Sequence, residues 1–170
     1  MTPDSKDWTW VLDRPCPECG LDSAAHDPAA TGSVLRECAH RWEAVLARPD
    51  VRERPDPTIW SPLEYGCHVR DVLRLYDERL QLMLSLDDPL YANWDQDATA
   101  VEQRYGEQDP QTVAGEITAA TGPLAVRFDG LSGGQWQRTG RRSDGASFTV
   151  TSFAQYFLHD VLHHLHDVNG

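Results

Sequence analysis

The sequence has 170 residues, 40% of them hydrophobic and 25% charged, a length and balance typical of one soluble globular domain with a substantial core. Its formal net charge of −12 argues against nucleic acid as a partner, because phosphate binding requires a basic surface. No apolar run approaches the roughly 20 residues of a membrane-spanning helix, and the first residues lack the basic and apolar regions of a signal peptide, so we expect a cytoplasmic protein that does not bind membranes.

Residues 1–28 predict an irregular N-terminal arm, and residues 29–170 predict one helical domain. The arm contains several residues that interrupt regular structure, namely Pro15, Pro17, Gly20 and Pro28. We expect the arm to dock on the domain through Trp8 and Trp10.

Two cysteines in the arm, Cys16 and Cys19, form half of a zinc knuckle, because turn residues between two cysteines suit a tetrahedral thiolate site. No second pair of this spacing follows, although His26, Cys38 and His40 could in principle complete a site. In a reducing compartment the four cysteines of the chain are thiols or ligands rather than disulfides. We therefore expect Cys16 and Cys19 to be reduced and without metal.

Apolar residues at helical spacing predict a first helix over residues 30–47 and a second over residues 61–86. The second begins with Ser-Pro-Leu-Glu, a capping box with proline at the first helical position. Glu64, His68 and Asp71 share one face of this helix. His68 is a candidate metal ligand, and Glu64 and Asp71 are candidates to accept its ring N–H, with Glu64 also a candidate ligand; the alternative is an ordinary helical histidine.

The connection over residues 87–109 is long for a compact domain, which is typical of functional loops. It predicts at most a short helix over residues 98–105. Tyr91 and Trp94 are candidates to line a substrate pocket, and an equally good interpretation is that they anchor the loop itself.

A third helix is predicted over residues 110–129, where an aspartate cap precedes proline at the first helical position. Asp144-Gly145 then suits a tight hairpin between two short strands. Arg141, beside this turn, is a candidate to bind an anionic substrate group, although surface solubility is the more common role for such an arginine.

The fourth helix carries most of the histidines and is capped by Thr149 or Thr151. His159 and His163 are four residues apart, so two imidazoles can bind one metal ion from the same helix face. His164 points about 100° away from His163 and is not expected to be a ligand. The alternative is a histidine-rich helix with solvated rings.

Four amphipathic helices predict an all-α four-helix bundle, in which metal sites are built from inward side chains on facing helices. His68 meets His159 and His163 if the second and fourth helices adjoin. Three imidazoles with one open position are the ligand set of a catalytic site, whereas a structural site has four protein ligands.

The sequence resembles the DinB superfamily in residues 60–71, which carry a W-S-x-x-E-x-x-x-H motif, and in the H-x-x-x-H of residues 159–163. The resemblance implies an up-down-down-up bundle, a divalent metal ion such as zinc or nickel, and often a homodimer. Carried over by motif position, the implied ligands are His68, His159 and His163.

The family is similar to mycothiol-dependent maleylpyruvate isomerase and to bacillithiol and mycothiol S-transferases. The resemblance therefore implies a metal-dependent S-transferase that joins a low-molecular-weight thiol of the mycothiol type to an electrophilic small molecule. The metal would lower the pKa of the thiol and so supply a thiolate at neutral pH. Two alternatives are a hydrolase, with water in place of the thiol, and a non-catalytic metal-binding module of stress responses.

Overall fold

The structure, a computed structural model, describes residues 8–170; residues 1–7 of the predicted arm lie outside the described range. The helices of the described chain are α1 (Thr31–Leu46), α2 (Pro62–Ser85), α3 (Gln96–Glu102), α4 (Pro110–Asp129) and α5 (Val150–Asp167). The strands are β1 (Leu90–Tyr91), β2 (Thr139–Arg142) and β3 (Ser147–Thr149). Within residues 8–170, no helix combines the length and the apolar character needed to cross a membrane.

The four long helices form a bundle, which confirms the predicted fold class. α1 packs along α4, α4 packs on α2, and α5 contacts both α1 and α2. The arm carries three short 3₁₀ turns, at Thr9–Leu12, Ser23–Ala25 and Pro28–Ala30, and all three lie against α5.

Local capping groups set where α2 and α5 begin. At α2 the Glu64 backbone N–H donates to Ser61 Oγ at 3.3 Å, and the Glu64 carboxylate accepts from the Ser61 N–H at 2.8 Å. This is the predicted capping box. At α5 the cap is Thr149, whose Oγ1 accepts from the Ser152 N–H at 3.1 Å, so the choice between two threonines falls on the first.

Aromatic rings fix α5 against α2. Tyr76 of α2 lies 4.7 Å from the ring of Phe153 and 4.6 Å from the ring of Phe157, and all three side chains are buried. On the other side of the bundle, a Cβ on Gly32 of α1 would lie 2.8 Å from the carbonyl oxygen of Ala125 in α4. Only glycine permits this close approach of the two helices.

The predicted hairpin is confirmed, and the long connection adds a third strand to it. β2 pairs antiparallel with β3, while β1 pairs with β2 in parallel. The sheet holds the connection in place, because the Asn93 N–H donates to Ser143 Oγ at 2.8 Å. Directly after this bond the chain places Trp94 beside α2, and α3 then starts at Gln96 rather than at the predicted residue 98.

Candidate metal centre

α5 carries two pairs of potential ligands, and each pair has the four-residue spacing that places side chains on one helix face. His159 and His163 face the N-terminal arm, where they meet two cysteines. Asp160 and His164 face α2, where they meet His68. Because one residue along a helix rotates the side chain by about 100°, the two pairs contribute to two separate groups.

The first group, here the His–Asp site, consists of His68, Asp160 and His164. Asp160 Oδ1 lies 3.5 Å from His68 Nε2 and 3.5 Å from His164 Nε2. One potential ligand atom from each of the three residues lies within 4.8 Å of the other two. Two imidazoles and a carboxylate are a donor set that proteins use for catalytic zinc and for non-haem iron.

Buried atoms at the His–Asp site match a divalent cation. Both ring nitrogens of His68 and Oδ1 of Asp160 are buried and have no hydrogen-bond partner among residues 8–170. Buried polar atoms are normally paired, since an unpaired one costs about 1–3 kcal/mol. A cation held between them would satisfy His68 Nε2 and Asp160 Oδ1 together, so the residues fit the metal that this arrangement suggests.

Neighbouring side chains fix the rings of the His–Asp site. Trp94 stacks on His68 with ring centroids 5.4 Å apart and planes 12° apart, and Trp60 lies 5.4 Å from the same ring. Tyr65 lies 5.0 Å from the ring of His164. The Nδ1 atom of His164 lies 2.9 Å from Asp167 Oδ2, an arrangement that orients metal-binding histidines in other proteins.

The protonation states of the His–Asp site suit a cation. Burial lowers the pKa of His68, and the nearby Asp160 only partly offsets this effect. Burial by itself would raise the pKa of Asp160, but the neighbouring histidines, His68 first, hold it below its usual value. At neutral pH the site therefore offers a neutral imidazole and an ionised carboxylate.

The second group, here the Cys–His site, consists of Cys16, Cys19, His159 and His163. Cys16 Sγ lies 3.8 Å from His163 Nδ1, and Cys19 Sγ lies 3.8 Å from His159 Nε2. All four potential ligand atoms lie within 4.8 Å of one another. Burial lowers the pKa of His159 to about 4 and also lowers that of His163, so both imidazoles are neutral at pH 7.

A cavity of about 260 Å³ borders both sites. Its wall combines aromatic rings and acidic groups, among them Trp8, Tyr65, Tyr156, Glu18, Asp160 and Asp167. Among the described residues, no lysine or arginine lines it. The cavity therefore suits a cation together with an uncharged polar ligand rather than an anion.

Residues 34–168 match the family model of the DinB superfamily. The chain belongs to the DinB superfamily. This DinB chain is also similar to the structure of YfiT from Bacillus subtilis, with a TM-score of 0.72, 17% identity and coverage of 82% of each chain. That structure is described as a probable metal-dependent hydrolase with an unusual four-helix bundle topology; at this identity the likeness concerns the fold alone. No curated protein matches the sequence significantly.

The ligand grouping in this DinB chain differs from the predicted triad of His68, His159 and His163. His68 lies with Asp160 and His164. The face of α5 that meets α2 therefore carries residues 160 and 164, each one position after the predicted pair. Asp160 was missed as a candidate, although it has the same four-residue spacing to His164 as His159 has to His163. Cys16 and Cys19, predicted to be reduced and without metal, are free thiols in the structure and lie beside His163 and His159, a proximity that the sequence did not indicate.

Glu64 and Asp71, the predicted acceptors for a histidine N–H, make their hydrogen bonds elsewhere in the DinB bundle. Glu64 closes the capping box of α2 and pairs with Arg54. Asp71 accepts from Arg70 at 2.8 Å and from the hydroxyl of Tyr105 at 2.6 Å. The carboxylates that contact histidines at the two sites are instead Asp160, Asp167 and Glu18.

Of the three predicted substrate-binding residues, Trp94 lies at the His–Asp site, stacked on His68. Tyr91 is buried with the guanidinium of Arg79 4.8 Å above its ring. Arg141 is exposed and pairs with Asp88 at 2.7 Å. Tyr91 and Arg141 thus lie in the small sheet, and neither of them lines the cavity.

Among the alternatives for completing the Cys16 and Cys19 pair, Cys38 is buried in the core of α1 and His40 is exposed on the same helix. All four cysteines are free of disulfides.

Proposed function

We propose that this chain is a metal-dependent S-transferase that joins a low-molecular-weight thiol of the mycothiol type to an electrophilic small molecule. The observation that carries the proposal is the His–Asp site, where buried atoms of His68 and Asp160 have no hydrogen-bond partner among residues 8–170 and where Asp160 and His164 line a cavity. A divalent cation bound here, zinc or nickel being suitable, would lower the pKa of a coordinated thiol.

The side chains around the site have distinct tasks in this proposal. His68, Asp160 and His164 hold the cation, and Asp167 keeps the His164 ring in position through its contact with Nδ1. Burial, followed by the charge of Asp167, raises the pKa of Tyr65 to about 12. Its hydroxyl therefore stays protonated at neutral pH and is a hydrogen-bond donor at the cavity wall.

The charge of the cavity wall selects among thiols. Glu18, Asp160 and Asp167 line the cavity, and none of its described lining residues is a lysine or an arginine. Because the cation would offset the charge of Asp160, Glu18 and Asp167 are the groups that would repel a thiol with carboxylates, such as glutathione or bacillithiol, whereas mycothiol presents uncharged sugar hydroxyls that tyrosine and carboxylate groups can bind. In the reaction the thiol sulfur forms a bond to an electrophilic carbon, the leaving group departs with its electron pair, and the thiol proton passes to solvent.

Hydrolysis is the second candidate, with water instead of a thiol as the nucleophile. Two observations support it: the description of YfiT as a probable metal-dependent hydrolase, and a His₂–carboxylate donor set, which is also used by zinc proteases. The same ligands serve both reactions, so only the co-substrate separates them.

The experiment is an electrophile panel with mycothiol, bacillithiol, glutathione or no thiol, run on wild type and on the Asp160→Asn variant. The S-transferase proposal expects thiol-dependent product with mycothiol first, and in Asp160→Asn a loss of product in parallel with the loss of metal from the His–Asp site. Product without thiol would favour the hydrolase. A protein that holds metal but turns over no pair would be a binding module, and the proposal would be wrong.

A further inference from the structure

We propose that Cys16, Cys19, His159 and His163 bind a structural zinc ion, separate from the His–Asp site, that fastens the N-terminal arm to α5. This proposal does not depend on the proposed reaction, because it concerns different ligands and a different task.

The distances fit a tetrahedral centre. With Zn–S bonds of about 2.3 Å and Zn–N bonds of about 2.0–2.1 Å, a sulfur and a nitrogen on one zinc ion lie about 3.6 Å apart. The two sulfur–nitrogen contacts of the Cys–His site both measure 3.8 Å. The four donor atoms, all within 4.8 Å of one another, need only a small contraction to share one ion.

The backbone hydrogen bonds of the arm form a turn like that of a zinc knuckle. The Gly20 N–H donates to the Cys16 carbonyl oxygen at 2.9 Å, and the Cys16 N–H donates to the Leu21 carbonyl oxygen at 2.9 Å. Gly20 has a φ of +75°, a conformation that favours glycine. This turn brings both sulfurs to one side, where the histidines of α5 complete the set.

The remaining nitrogen of one histidine has the partners expected around zinc. His163 directs Nδ1 to Cys16, while its Nε2 lies 3.5 Å from Glu18 Oε2 and 3.5 Å from Asp167 Oδ1. A carboxylate on the far nitrogen fixes the tautomer and orientation of a metal-bound imidazole. Glu18, between the two cysteines, thereby links the knuckle to the same histidine.

Three of the four donors are almost fully buried and Cys19 is half-buried, so the side chains of the centre are largely enclosed by protein, as in structural zinc sites. Cys16 is 1% exposed, His159 4% and His163 7%, and Trp8 covers both rings at centroid distances of 5.7 and 5.5 Å. Four protein donors leave no position for a substrate. We therefore assign the ion a structural task rather than a catalytic one.

Fastening the arm also completes the cavity, because Trp8 and Glu18 of the arm line it. A polar contact outside the Cys–His site also holds the arm in this region: the Gln155 side chain donates to the carbonyl oxygens of Ala24 and His26 at 3.1 and 3.2 Å. Loss of the ion should loosen the arm while the four-helix bundle keeps its own core.

The test uses the full chain, stripped of metal with a chelator and reloaded with Co²⁺. Cobalt bound by thiolates absorbs strongly in the near ultraviolet, and the His–Asp site contains no sulfur. We expect this thiolate absorption in wild type and in His164→Ala, and its loss in the Cys16→Ser/Cys19→Ser double variant together with one metal equivalent per chain. Cys38→Ala, which removes a buried core thiol, is the control. It should retain both the thiolate absorption and the metal equivalent.

Wild-type protein that binds cobalt without thiolate absorption would overturn the proposal, and this reading needs no variant to fold. An unchanged metal content in the double variant would overturn it as well. Absence of S-transfer, with the thiolate absorption intact, would instead reject the proposed reaction and would still support the structural zinc site.

Discussion

His163 and His164 are neighbours in the chain, yet their side chains belong to two different sites. Their ring centroids lie 5.9 Å apart with planes at 75°. His163 faces Cys16 of the arm, and His164 faces His68 of α2. One helix therefore supplies two sets of ligands from two different faces of the same turns, because a step of one residue turns the side chain by about 100°.

Replacing His164 by Ala should reduce metal affinity at the His–Asp site by at least about 100-fold, since loss of a direct ligand should cost no less than the 10–100-fold lost with outer partners. Thiolate absorption of the cobalt protein should remain. The matched control is His166→Ala, on the same helix and exposed. Metal titration by calorimetry measures the affinity of both variants, and an equal loss of affinity in His164→Ala and His166→Ala would contradict the assignment of His164 as a ligand.

Trp94→Ala should weaken metal binding at the His–Asp site and lower kcat/KM about 10-fold, because the stacked indole holds the His68 ring in place. Trp94→Phe retains a ring and should recover most of the loss. Trp136→Ala removes another half-buried tryptophan, one that stacks on Phe128, and should change stability alone. If Trp136→Ala lowers metal affinity as much as Trp94→Ala, the proposed positioning role is wrong.

The sequence allowed the helices to be predicted because the signals that start them are local. The hydroxyl of Ser61, the carboxylate of Glu64 and the cap of Thr149 all act within one turn. β1 could not be predicted in the same way, because its two residues form a strand only by pairing with β2, about fifty positions later in the chain.

The grouping of the ligands was beyond prediction from periodicity alone. Both pairs on α5 have the spacing of a metal-binding pair, and the choice between them depends on which face of the helix meets α2, which is a tertiary property. The arm has no apolar period that fixes where it docks, so nothing local joins Cys16 to a histidine 147 positions away. The candidate histidines were nevertheless on the two helices that the sequence indicated.

Gly32→Ala should destabilise the protein by about 1–3 kcal/mol, because the added methyl group would meet Asp129 and the carbonyl oxygen of Ala125. Gly115→Ala lies in α4 with nothing within 4 Å of the new Cβ, and should stabilise by about 0.5–1 kcal/mol through helix propensity. Urea denaturation compares the two. Similar effects of the same sign would mean that α1 and α4 do not approach as closely as described.

Cys38 should make stability depend on pH under alkaline conditions. Burial raises its pKa from 9.0 to about 11, so between these values the unfolded thiol ionises while the native thiol stays protonated. The unfolded state then binds fewer protons, and stability falls as pH rises, by about 2–3 kcal/mol across the window. Cys38→Ala should make this slope less steep in denaturation curves from pH 8.5 to 11, with the contribution of the buried Cys67 thiol remaining; an unchanged slope would refute the assignment.

We propose that α5 serves two metal sites rather than one. Anomalous diffraction above and below the zinc absorption edge, from crystals of the full chain grown with zinc, tests it most directly. We expect two peaks per chain, one at the Cys–His site and one at the His–Asp site. A single peak shared by His68, His159 and His163, or density at neither group, would contradict the account.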